Sequence, residues 1–176
     1  MDRDQRRQFV KDHRTCIFGY ARKDAGPAMT VVYYMTDGDE ILISSMEERA
    51  KVKAVERNPH VSICVLDEKW PPTYLQVFGQ ATIDRDPEVV LDVAIRGVEL
   101  MSGSEVPAEL HETIREKVRA ENRVVIRLRP ATTFYTPPRH TYKAEDVHGL
   151  THTTSKSALV TIHAAGLVSS KRPSLN

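Results

Sequence analysis

Apolar and polar positions along the chain alternate in short blocks, and the blocks change period in a regular order. Asp4 to Arg14 is polar around one apolar spot, Phe9-Val10, and predicts a short leading helix. Thr15 to Ala21 is β-branched and aromatic and predicts a strand, which the turn residues 23–27 close. Met29 to Met35 is a second apolar run, in which one of Tyr33 and Tyr34 must face inward and the other outward. It ends at Asp37-Gly38, a hairpin signal, and Glu40 to Ser45 is the returning strand.

The period then switches to helical from Met46 to Arg57. Ser44 or Ser45 is placed to cap this helix, Glu47 and Glu48 suit its first turn, and Asn58-Pro59 ends it. Val61–Leu66 and Tyr74–Ile83 are the fourth and fifth strands, with Gly79 predicting a bulge or a close backbone approach. Asp86-Pro87-Glu88 opens a helix that runs to about Met101 and stops at Ser102-Gly103. A further helix follows Pro107, with Leu110, Ile114 and Val118 on one face, and Arg123 to Pro130 is the sixth strand, apolar inside and arginine outside. The order β-β-β-α-β-β-α-α-β predicts a mainly β fold with peripheral helices, a small barrel in place of a βαβ sheet.

Composition narrows the function. With 176 residues, 40% of them hydrophobic, the chain has material for one core. Lys and Arg number 25 against 24 acids, so no global field draws it to nucleic acid or to a membrane. The charged N-terminal segment leads into no apolar run, and no stretch nears the roughly 20 apolar residues of a membrane span. A cytoplasmic protein is expected. Cys16 and Cys64 sit among apolar residues and read as free buried thiols. Residues 1–146 are expected to form the domain. Residues 147–176 are rich in Ser, Thr and His, carry three cations and no acid, and are expected to be a tail.

One segment carries candidate chemistry. In Ile43 to Lys53 a strand delivers Ser44 and Ser45 to a helix start, and Arg49 and Lys51 follow in the opening turns. Hydroxyls, free N–H groups, the helix dipole and a guanidinium fork together suit a phosphate. The same spacing also suits an ordinary amphipathic helix with a solvated charged face. Trp70, Pro71, Pro72 and Tyr74 make an aromatic loop that fits either a flat ligand or a core or interface cluster. His148, His152 and His163 have no metal-pair spacing. Signatures of serine hydrolases, nucleoside triphosphatases and dinucleotide binders are missing from the sequence.

From Cys16 to Asp86 the chain resembles the flavin and deazaflavin oxidoreductases of the pyridoxamine 5′-phosphate oxidase-like split-barrel superfamily. The likeness runs through Gly26-Pro27, Asp37-Gly38, Ile41 to Ser45, Arg49-Ala50-Lys51, Arg57-Asn58-Pro59, Val61-Ser62 and Val77 to Ala81. It implies a six-stranded split β-barrel forming a homodimer, with a cofactor in each of two interface grooves. Ser44, Ser45, Arg49 and Lys51 then match the phosphate-holding residues, and Met29, Thr30 and Val31 border the tricyclic ring. Trp70 or Tyr74 would reach over from the partner. The hydride chemistry belongs to the cofactor, so no catalytic side chain is implied.

The C-terminal substrate-gripping signature of the true oxidases is missing from Arg127 to Pro138, so oxidation of vitamin B6 is not expected. The Arg-Ala-Lys helix is most similar to the branch that uses coenzyme F-420, whose polyglutamyl tail would find Lys53, Arg57 or Lys11. The expected activity is F-420-dependent hydride transfer to an electron-poor small molecule. The alternatives are an FMN-dependent oxidoreductase on the same barrel and a non-catalytic flavin or haem carrier using the tail histidines.

Overall fold

A computed structural model of the chain describes residues 1–69 and 72–135. Its elements run α1 (Arg3–Asp12), β1 (Thr15–Tyr20), β2 (Ala28–Tyr33), β3 (Met35–Asp37), β4 (Glu40–Met46), α2 (Ala50–Arg57), β5 (His60–Asp67), β6 (Thr73–Asp84), α3 (Pro87–Ser102), a 3₁₀ turn (Ala108–Leu110), α4 (His111–Ala120) and β7 (Arg123–Tyr135).

All strands belong to one antiparallel sheet in the order β2-β1-β5-β6-β7-β4-β3. The two edge strands, β2 and β3, are consecutive in the chain with only Tyr34 between them. Two Cα steps of about 3.8 Å each therefore bridge the two edges, which the sheet can satisfy only by curling back on itself. The result is the half-open barrel expected from the sequence, with seven strands in place of six. The extra break arises because the run 29–35 changes partner. Tyr34 still donates its N–H to Arg14 O (2.9 Å), whereas Met35 pairs with Leu42 of β4.

Alternation sorts the side chains. Cys16, Phe18, Val32, Ile43, Ile63, Val65, Leu75, Val77, Ile126 and Leu128 point inward, where α2 adds Val52, Ala54 and Val55. Each such Val or Ile contributes roughly 1.5–3 kcal/mol relative to exposure. Leu42 and Val125, on the outer face of β4 and β7, take a second layer from Val90 and Val93 of α3 and Val118 of α4.

Local signals account for most element ends. Asp86 caps α3 through the N–H groups of Glu88 and Val89, with Pro87 at the first helical position, and Gly103 ends the helix at φ +73°. Gly38 takes positive φ in the β3–β4 turn. The bulge falls at Gly79: the β6–β7 register shifts between Phe78 and Gly79.

Four expectations need correction. Neither serine caps α2, because Met46 to Arg49 form a turn and the helix begins at Ala50 with no side-chain cap. Arg127 is not solvated: its side chain is 19% exposed and ion-pairs with Glu40 (2.6 Å) and Asp84 (3.2 Å). Leu110 lies exposed in the 3₁₀ turn, so α4 packs through Ile114 and Val118. Cys64 is only half-buried, on the outer face of β5.

Candidate functional site

The phosphate candidates lie where β4 runs into α2. Neighbours on a strand face opposite ways, and register fixes which way. Ser45 pairs with Val124, points into the barrel and is 5% exposed, with one long contact to its neighbour, Oγ to Met46 O at 3.4 Å. Ser44 pairs with Val125 on the outer face, where its Oγ accepts from Arg123 Nη1 at 3.1 Å. The two hydroxyls are thus on opposite sides of the sheet.

Arg49 and Lys51 are together. Burial first, then the Arg49 charge, holds the Lys51 ammonium below the ordinary lysine value. Of the nearby acids, Glu47 and Glu56 are both engaged by Arg85, while Glu48 is exposed. Among the described residues, neither Arg49 nor Lys51 has a carboxylate within ion-pair distance; the recorded bond is Arg49 Nη2 to Met46 Sδ at 3.7 Å. The first N–H groups of α2 have no intrahelical acceptor, and no side chain caps them. Helix terminus and paired cations form one positively polarised corner.

The corner lies beside β1, next to the β2 edge of the sheet. Lys51 is close enough to Cys16 of β1 for each to shift the other's titration, and Cys16 pairs with Val32 of β2. One pair further along, Thr30 stands opposite Phe18. Thr30 Oγ1 is, among the described residues, the buried side-chain polar atom without a hydrogen-bond partner. An orphaned hydroxyl costs about 1–3 kcal/mol, so a group that it could bond is wanted there. Cys16 itself is no nucleophile: burial and the nearby Cys64 push its thiol up to about 12, which keeps it protonated.

The outer face of the same strands is a broad apolar surface. Met29 and Val31 are 72% and 75% exposed, and Tyr33 continues the row. Val31 pairs with Ile17, Ile17 with Cys64, Cys64 with Gln76 and Gln76 with Phe134, so the surface crosses five strands. A groove of about 790 Å³ runs along it past Met29, Ile17 and Phe78. His60, Gln76, Gln80 and Arg129 also line this groove. Sequence reasoning passed over them. Their signal was a polar residue at outward positions of otherwise apolar strands, and only the register brings them together.

Of the named candidates, then, Met29 and Val31 border the outer groove, while Thr30, Ser45, Arg49 and Lys51 belong to the inner side and its corner. Ser44 is set apart. Tyr74 lies at the far end of β6 opposite Leu66, and Trp70 falls outside the described residues, as do His148, His152 and His163. Among the described residues no group of His, Cys, Asp or Glu could hold a metal, and no helix is long and apolar enough to cross a membrane.

The family model described as pyridoxamine 5′-phosphate oxidase matches residues 3–137. No curated protein matches the chain. A conserved hypothetical protein from Mycobacterium tuberculosis is 21% identical with a TM-score of 0.70, over 82% of this chain and 92% of that one. An F-420 reductase is 21% identical with a TM-score of 0.55, over 72% and 94%. An FAD-binding protein from Mesorhizobium loti is 17% identical with a TM-score of 0.57, over 76% and 92%. At these identities the likeness to each solved structure is one of fold.

Proposed function

This chain belongs to the pyridoxamine 5′-phosphate oxidase family, and on that premise we propose that it is a homodimeric oxidoreductase using a flavin-type cofactor, coenzyme F-420, to reduce an electron-poor small molecule. The observation that carries the proposal is the pair Arg49 and Lys51. Two adjacent cations without a carboxylate partner stand at an uncapped helix start, while neighbouring arginines are neutralised. That arrangement is costly to the folded chain and suits a phosphate-bearing ligand.

The remaining candidates fit such a ligand in kind. Thr30 offers an unused hydroxyl and Ser45 one weakly used. Met29 and Val31 lie on the outer face of the edge strand β2, so a tricyclic ring resting on them would reach the Arg49–Lys51 corner around the free edge of that strand. Lys53 and Arg57, further along α2, supply positive charge for an anionic tail; Arg57 also donates to Ala21 O (2.8 Å). Lys11 is separate. It belongs to α1, over the Leu75–Val77 part of β6, whereas α2 is tied to the Ala81 part through Ala81 N–H to Pro59 O (2.8 Å). The bound cofactor would supply hydride transfer, while the protein binds, orients and excludes water.

The dimer is part of the same reading. An exposed, largely apolar row that crosses five strands and includes Met29, Val31, Tyr33, Ile17 and Phe134 suits a second protein surface. Pairing two such faces would bury it and enclose the groove; Trp70 or Tyr74 would then approach the partner's cofactor.

Fluorescence binding of the full chain to coenzyme F-420 and to FMN, side by side, tests the assignment. Tighter F-420 binding, and oxidation of reduced F-420 by a quinone in the presence of the protein, are expected. A preference for FMN would move the chain to FMN-dependent chemistry, and binding of neither would overturn the enzyme reading.

A further inference from the structure

Arg85, at the junction of β6 and α3, is fixed in place by its neighbours. Asp84 Oδ2 accepts from Arg127 Nη2 (3.2 Å), its Oδ1 accepts from the Asp86 N–H (3.0 Å), and Asp86 caps α3. From this anchored stretch the Arg85 guanidinium grips Glu47 with two nitrogens, at 2.6 and 3.2 Å, and also bonds Glu56. Glu47 lies in the turn just before α2, and Glu56 in the last turn of α2. The Glu47 backbone is anchored as well, its N–H donating to Asn122 O (2.8 Å).

Both acids are natural rivals of an incoming phosphate. A carboxylate just ahead of a helix ordinarily turns to its free N–H groups and the positive end of its dipole. Glu47 is also close enough in sequence to pair with Arg49 and Lys51. It does neither. α2 has no side-chain cap, and neither cation has a carboxylate within ion-pair distance among the described residues. From Glu47 to Arg57 the chain carries four cations against three acids. With Glu47 and Glu56 taken up by Arg85, the exposed Glu48 is the acid left in this segment against those four. All three side chains of the triad are 40–48% exposed, so its ion pairs contribute little to stability. What the triad controls is where two negative charges sit.

We infer that Arg85 is a positioning residue for the Arg49–Lys51 corner: it holds the Glu47 and Glu56 carboxylates away from the cations and from the start of α2, which keeps the corner open to a phosphate ester. This role rests on the cofactor reading of Arg49 and Lys51. It adds the residue that keeps their site from being filled by the chain's own acids.

Two titrations of the full chain test it: fluorescence binding of coenzyme F-420 and of the same deazaflavin ring without its phosphate, and NMR titration of the Lys51 ammonium in the absence of ligand. Arg85→Gln should weaken F-420 binding by about fivefold or more, leave the phosphate-free ring within about twofold, and raise the Lys51 titration point. Adding Glu47→Gln and Glu56→Gln to that variant should return both quantities to wild type. A merely bracing role predicts no such rescue, since the triple variant lacks the same ion pairs. Wild-type F-420 affinity in Arg85→Gln, or a loss that the triple variant does not repair, would overturn the positioning role. A wild type that binds no F-420 would count against the cofactor reading alone. The Lys51 titration then decides: a shift in Arg85→Gln that the triple variant reverses supports the role, and an unmoved titration overturns it.

Discussion

Gly79 of β6 lies against the main chain of Arg129 on β7: a Cβ at position 79 would press into the Arg129 carbonyl and stand 2.8 Å from Leu128 Cδ1. The absence of a side chain is what lets the two longest strands approach where their register shifts. Gly79→Ala should therefore destabilise the protein by about 1–3 kcal/mol, since a backbone must move to admit one methyl group. Gly97→Ala is the control. A Cβ there meets Met35 Cε at an ordinary 3.7 Å within α3, so helix propensity should stabilise that variant by about 0.5–1 kcal/mol. Urea unfolding of both variants checks the contrast; equal effects would contradict it.

Much of this arrangement was legible beforehand. The glycine, the Asp86-Pro87 helix start, the Asp37-Gly38 turn and the inward-outward split of Tyr33 and Tyr34 each follow from one or two residues with a strong local preference. The strand Arg123 to Tyr135 was different. Whether Arg127 faces water or a set of carboxylates depends on Glu40 and Asp84, which are distant in sequence and adjacent only through sheet register. The same holds for Ser44 and Ser45. Composition marks both as hydroxyls before a helix, but period-2 alternation and pairing with β7 send them to opposite faces.

Glu40 ties the β3–β4 hairpin to β7. The Arg127 and Arg129 guanidiniums hold its carboxyl below the ordinary carboxylate value of 4.5. A depressed folded value contributes stability that is present above the unfolded value and is lost as pH falls through the folded one. Glu40→Gln should thus cost about 1–2 kcal/mol at neutral pH and progressively less in acid. Denaturation midpoints of both proteins at pH 7 and pH 3 test this; an acid-independent difference would exclude the linkage.

Lys51 has the opposite sign. Its folded value lies below the ordinary 10.5, so between the two the unfolded chain binds more protons and stability rises with pH. Below the folded value the full penalty of holding the charge is in force. Lys51→Met should make the unliganded protein more stable at pH 7, with the advantage shrinking toward pH 10.5, while cofactor affinity falls. A less stable variant at pH 7 would show that the ammonium is already well accommodated without a ligand.

Val31→Glu addresses the dimer. Its side chain projects from β2 into solvent in a single chain, so the substitution should leave the fold of each chain intact. Placed on this apolar face at its β2 end, the carboxylate would have to be buried unpaired in a dimer formed through it. Sedimentation equilibrium should give twice the 19.9 kDa chain mass for the wild type and the single-chain mass for the variant. A variant that remains dimeric would move the interface elsewhere.

The central claim is that Arg49 and Lys51 recognise a cofactor phosphate, and comparing a phosphate-bearing cofactor with its phosphate-free ring tests it most directly. The wild type should bind the phosphate form at least a hundredfold more tightly, about 2.7 kcal/mol, within reach of two charge-assisted contacts at roughly 1.5–3 kcal/mol each. In the double variant Arg49→Gln, Lys51→Gln, the two forms should bind alike, with affinity for the bare ring unchanged. A double variant that keeps the wild-type preference for the phosphate form would contradict the account.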